Sequence, residues 1–238
     1  MTLKTVILAA LGLLLVFVVA SVLLGLLRAL SVPAYWRARA AEVVPEGALR
    51  IVALGDSAMQ AIGADRPEEG IAGRVASYLE QRGGRPVQLT NVSQGGATVA
   101  QVTAQQLPYA DVQHADLILV VSSVDLEKRV PLPTYRRTLR LLLSALPPEK
   151  TVVSDLPLEL GRQRYQQVLR EEADAYGIAR ADFAGVFNRA RRLDIFSWLP
   201  PHLNSRGYAL WFEAFRAPVD RVIRVPASPR VAGSRTNR

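Results

Sequence analysis

Four short stretches, LRIVAL (49–54), VQLTNV (87–92), LILVV (117–121) and TVVS (151–154), are rich in Val, Ile and Leu. Apolar runs of this length suit strands that are covered on both faces, as a parallel sheet requires. Amphipathic stretches lie between and after them. Tyr135, Leu139, Leu142, Leu143 and Leu146 share one helical face, and Tyr165, Val168, Leu169, Ala173 and Tyr176 share another, with Gly177 as its stop. Strand and helix alternating at this rhythm predict a parallel α/β domain over residues 49–224, and these apolar positions are its candidate core.

Ahead of that domain, Thr5 to Leu27 is a run of 23 residues without a charge. As a helix it would be about 34 Å long, enough for a hydrocarbon layer of about 30 Å. A cleavable signal has a shorter apolar region, and no A-x-A site directly follows the run, so the expectation is an uncleaved single-pass anchor over 5–27. Lys4 and the amino terminus favour a cytoplasmic start, whereas Arg28, Arg37 and Arg39 on the other flank pull the opposite way. The expected placement of the globular domain is extracytoplasmic. Residues 28–48, with Pro33, Pro45 and Gly47, read as a linker. Residues 225–238, with three Arg and no acid, read as a disordered basic tail.

Composition excludes several classes of function. With no Cys there is no disulfide framework, thiol nucleophile or thiolate metal site, and two His, His114 and His202, leave no histidine-rich centre. No metal or organic cofactor is expected. The net charge of +8 comes from 29 Lys and Arg scattered along the chain rather than gathered into a phosphate-binding patch, which argues against a nucleic-acid partner. His114, in DVQHAD, reads as a solvated surface residue. The oligomeric state is left open.

In parallel sheets, ligands sit beyond the carboxyl ends of the strands. The first strand leads into Gly55-Asp56-Ser57, where a Gly permits a tight turn and presents a Ser. The second leads into Asn91-Val92-Ser93-Gln94-Gly95-Gly96-Ala97-Thr98, whose paired glycines let backbone N–H groups approach a ligand. The third leads into Ser122-Ser123-Val124-Asp125. Near the end of the domain His202 stands in the Pro-bounded loop Pro201-His202-Leu203-Asn204. Each motif alone is also ordinary turn chemistry.

Taken together, in this order and spacing, residues 49–217 resemble the SGNH hydrolases, the GDSL esterase/lipase superfamily. The first block is matched by Leu54-Gly55-Asp56-Ser57, the second by Gly96-Ala97-Thr98-Val99, and the last by His202 followed by Asn204, Gly207 and Tyr208. The resemblance implies a three-layer α/β/α domain on a flavodoxin-like sheet. It also implies Ser57 as nucleophile, His202 as general base, and the N–H groups of Ser57 and Gly96 as an oxyanion hole. The implied activity is hydrolysis of an acyl or acetyl ester, carried on a small molecule or a polymer.

Two positions depart from the pattern. Val124 stands where the third block has an oxyanion-donating Asn, and Leu199 stands where the last block has the Asp that orients the His. Ser122 or Ser123 could donate in place of the Asn, and Asp194, or a backbone carbonyl near Leu199, could orient His202. The same departures support a second reading, a catalytically impaired binding or assembly module at the membrane. A nucleotide-binding domain is disfavoured, since neither a G-x-G-x-x-G nor a Walker sequence is present.

Overall fold

A computed structural model describes residues 2–43, 46–156, 163–189, 194–197 and 202–224. The chain begins with one long helix, α1 (Leu3–Ala40), whose apolar side chains from Val6 to Ala20 are all exposed. By length and composition α1 is able to cross a membrane. It does not end at Leu27. The segment read from sequence as a linker is helical through Pro33 to Ala40, and Val32 and Trp36 are buried in the domain core. Burial of those two side chains, with the Trp36 Nε1–H donating to the Gln60 carbonyl at 3.1 Å, holds the helix together beyond the proline.

The domain then runs β1 (Leu49–Gly55), α2 (Ile71–Gly83), β2 (Val87–Asn91), α3 (Val99–Gln101), β3 (Leu117–Val121), α4 (Val124–Glu127) and α5 (Leu132–Ser144). It continues through β4 (Thr151–Ser154), α6 (Gln163–Ala175), β5 (Ala179–Ala181), α7 (Phe183–Phe187) and α8 (Ser205–Ile223). The five strands are all parallel, in the order β2-β1-β3-β4-β5, the flavodoxin-like arrangement expected for the domain.

Side-chain alternation along the strands divides the core into two layers. Leu49, Ile51, Ala53, Leu117, Leu119 and Val121 face α2, α7, α8 and the end of α1. Val52, Leu54, Ile118, Val120 and Val153 face α5 and α6. Both faces of the sheet are therefore apolar, which accounts for the near-continuous hydrophobic runs in β1 and β3. The tail over 225–238 lies outside the described residues.

Candidate active site

The order of the strands reverses between β1 and β3, and the loops beyond their carboxyl ends build the site. Gly55 closes β1 with φ +144°, and a Cβ there would stand 1.8 Å from the Val121 carbonyl oxygen of β3. Only glycine lets the two strand ends approach so closely before the chain turns. The buried side-chain amide of Gln106 clamps this glycine from both sides. Its Oε1 accepts from the Gly55 N–H at 2.9 Å, and its Nε2 donates to the Gly55 carbonyl at 2.8 Å. Sequence reasoning passed over Gln106, because nothing local marks a contact across 51 residues.

Asp56 is fully buried beneath the serine. One carboxylate oxygen accepts from the Ala58 N–H at 2.9 Å, and the other accepts from the N–H and the hydroxyl of Ser123. Burial pushes this carboxyl above the usual range, against the pull of those bonds. The loop after β2 is stitched alongside. Gln94 N–H donates to the Gly55 carbonyl at 3.0 Å, Gln60 Nε2 to the Ser93 carbonyl at 2.9 Å, and Asn91 Nδ2 to the Met59 carbonyl at 3.0 Å.

His202 arrives from the other end of the chain. A bridge between Phe196 and Leu203, with Ser197 N–H donating to the His202 carbonyl at 2.9 Å, holds its loop. Asn204 then caps α8, its Oδ1 accepting from the N–H groups of Arg206 and Gly207 while its Nδ2 donates to the carbonyls of Asp194 and Phe196. The loop packs closely on Gly63, where a Cβ would stand 2.5 Å from the Leu203 carbonyl oxygen and 2.9 Å from His202 Cβ. The result is a hydrogen bond of 3.1 Å between His202 Nε2 and Ser57 Oγ, joining residues 145 positions apart.

The two half-buried side chains open onto a cleft of about 1100 Å³ also lined by Gln94, Gly95, Gly96 and Val124. Gly96 has φ +73°, and its carbonyl accepts from Lys128 Nζ at 2.9 Å. Among the described residues, no acceptor takes the amide N–H of Ser57 or of Gly96. A Cβ added at Gly95 would come 4.0 Å from Ser57 Cβ.

The remaining candidates fall elsewhere. Ser123 uses its hydroxyl on Asp56 rather than on the cleft, and Ser122 is buried away from the lining, its Oγ without a partner among the described residues. Asp194 is exposed, and among the described residues no hydrogen bond or ion pair joins its carboxylate to His202. The loop turns that carboxylate outward and uses the Asp194 backbone instead. Leu199 lies outside the described residues, while Val124 is buried and lines the cleft where the family pattern has a donor. His114 is a surface residue, hydrogen-bonded to Asp111. No cluster of three metal-ligating side chains is found among the described residues.

The family model of the GDSL-like lipase/acylhydrolases matches residues 53–210, from the end of β1 into α8. The chain belongs to that family. Solved structures with the same fold include the lipase/acylhydrolase from Enterococcus faecalis, 17% identical with a TM-score of 0.63, the match covering 76% of this chain and 99% of that one. The psychrotrophic esterase EstA from Pseudoalteromonas is 14% identical with a TM-score of 0.60, covering 74% and 98%. Axe2, an acetylxylan esterase from Geobacillus stearothermophilus, is 17% identical with a TM-score of 0.58, covering 74% and 95%. No curated protein matches the chain.

Proposed function

We propose that this GDSL-family hydrolase is a membrane-anchored esterase that works through a Ser57–His202 dyad. The observation that carries the reading is the 3.1 Å contact between Ser57 Oγ and His202 Nε2 inside an open cleft. Ser57 Oγ attacks the carbonyl carbon of an acyl or acetyl ester while His202 Nε2 takes its proton. The negative charge that forms on the carbonyl oxygen is held by the N–H groups of Ser57 and Gly96, neither of which has an acceptor within the described residues. The tetrahedral intermediate collapses, the C–O bond to the alcohol breaks, and His202 returns the proton to the leaving oxygen. Water then gives a proton to His202 and adds to the acyl carbon, the bond to Ser57 Oγ breaks, and His202 returns the proton to Ser57 Oγ as the acid leaves.

Relatives with this fold are named as a lipase/acylhydrolase, an esterase and an acetylxylan esterase, which supports an ester as the substrate. The uncharged run in α1 supports a single-pass anchor. One observation favours the second reading, an impaired binding module: Val124, whose side chain cannot donate a hydrogen bond, occupies the cleft wall. The full chain in detergent, assayed on a series of short to medium acyl esters, separates the two. The hydrolase reading expects turnover that falls by about a thousandfold or more in Ser57→Ala. Turnover that Ser57→Ala leaves unchanged would overturn the dyad, and none with any ester would favour the binding module.

A further inference from the structure

The cleft beside Ser57 is shared between the domain and the anchor helix. Leu30, Pro33, Trp36, Arg37 and Ala40 of α1 line it, and their spacing puts them on one helical face. Leu30 is three residues past the uncharged run, roughly 4.5 Å farther along the axis, and Trp36 roughly 14 Å. The bond from Trp36 Nε1 to the carbonyl of Gln60 ties this helix to the nucleophile loop, so the end of the apolar run is held at a set distance from Ser57.

A second observation concerns the lining contributed by another element. Tyr109, in the turn that follows α3, is 78% exposed, and Leu30 is 76% exposed. Outside the apolar run, the large hydrophobic side chains left exposed among the described residues are Leu30, Val43, Tyr109 and Leu141, and two of these four line this one cleft. Tyr at such a place has an apolar ring and a polar tip, the combination favoured at a membrane surface. Arg37, ten residues beyond the apolar run, adds a cation to the wall of the cleft.

We propose that the mouth of this cleft rests on the bilayer, with Leu30 and Tyr109 immersed in its surface, and that the ester reaches Ser57 sideways from the leaflet along α1. The substrate is then a membrane-resident long-chain ester whose apolar chain lies against Leu30, Pro33 and Trp36. This rests on the hydrolase reading and narrows it from esters in general to esters held in the membrane. The helix serves as anchor and as a wall of the binding site.

The chain contains no Cys, so Tyr109→Cys and Leu141→Cys each give a single point for attaching an environment-sensitive fluorophore. With the full chain in phosphatidylglycerol/phosphatidylcholine vesicles, the probe at 109 should shift to the blue and be quenched by lipids labelled near the headgroup. The probe at 141, on α5 and away from the cleft, should do neither. Equal behaviour of the two overturns the proposal without reference to catalysis. In the kinetic arm, the ratio of kcat/KM for a vesicle-borne long-chain ester over a soluble acetate ester should fall about tenfold in Tyr109→Asp and in Leu30→Asp. An unchanged ratio, with turnover still dependent on Ser57, overturns lateral access and leaves the hydrolase standing. Absence of Ser57-dependent turnover on both esters removes the hydrolase reading and this proposal together.

Discussion

Gly63 sits where the Ser57 loop and the His202 loop press together, so Gly63→Ala tests whether the proposed dyad geometry is what the fold maintains. An added Cβ would lie 2.5 Å from the Leu203 carbonyl oxygen, 2.9 Å from His202 Cβ and 2.9 Å from Ser197 Oγ, whereas ordinary contact begins at 3.4 Å. Relief therefore needs a shift of nearly 1 Å, and two of the three obstacles belong to residues 202 and 203. A displacement of that size takes the Ser57–His202 contact from 3.1 Å to well beyond hydrogen-bond reach. A misplacement of about 1 Å costs roughly a hundredfold in turnover, about 2.7 kcal/mol of transition-state stabilisation. The φ of +95° adds about 1–2 kcal/mol of backbone strain for alanine, so Tm should also fall by several degrees. Gly84→Ala is the control. It has a positive φ as well, at +61°, but nothing lies within 4 Å of the added Cβ. Steady-state kinetics on a soluble ester, with thermal unfolding alongside, should show Gly84→Ala losing stability alone and Gly63→Ala losing both. Wild-type kcat/KM in Gly63→Ala would show that the Ser57–His202 contact does not depend on this close packing, as would an equal loss of activity in Gly84→Ala.

Two further expectations concern the scaffold. Gln106→Leu removes both bonds to Gly55 and leaves a buried N–H without an acceptor, which should cost about 2–3 kcal/mol and lower Tm by roughly 4–12 °C; an unchanged Tm would show that Gly55 needs no clamp. Glu172, buried at the α5–α6 contact, is held below the usual carboxylate range first by the hydrogen bond from Arg140 and then by Arg136. Its contribution is present above the ordinary glutamate range and is lost as pH falls through the lowered pKa. Glu172→Gln should therefore cost about 1 kcal/mol at neutral pH, after allowance for the partly exposed arginines, and should make chemical denaturation less sensitive to acid. A variant as acid-sensitive as the wild type would place that dependence in other groups.

The parts of this molecule legible in the sequence are those set by local pattern. β1 and β3 announce themselves because both faces of the sheet are covered, and Gly55-Asp56-Ser57 stands out because a tight turn after a buried strand has few solutions. β5, the three residues Ala-Arg-Ala at a sheet edge, carries no such signal. The continuation of α1 past Pro33 was hidden for a different reason. A proline among small and charged residues reads as a break, and only the burial of Val32 and Trp36 in a core assembled later in the chain overrides it. Two of the substitutes suggested for the missing family residues, Ser123 and the Asp194 carboxylate, are placed elsewhere by geometry that spacing does not encode. Ser123 is drawn 67 positions back to Asp56, and the loop that presents His202 uses the Asp194 carbonyl while leaving its carboxylate exposed. Gly63 and Gln106 matter only through contacts made across the fold.

The proposed activation of Ser57 by His202 is read out by treating the folded full chain with a fluorophosphonate and locating the adduct by peptide mass spectrometry in the wild type, Ser57→Ala and His202→Ala. The dyad account predicts a single adduct on Ser57, absent in Ser57→Ala and formed about a hundredfold or more slowly in His202→Ala. No adduct on Ser57 in a folded sample, or a labelling rate indifferent to His202, would contradict it.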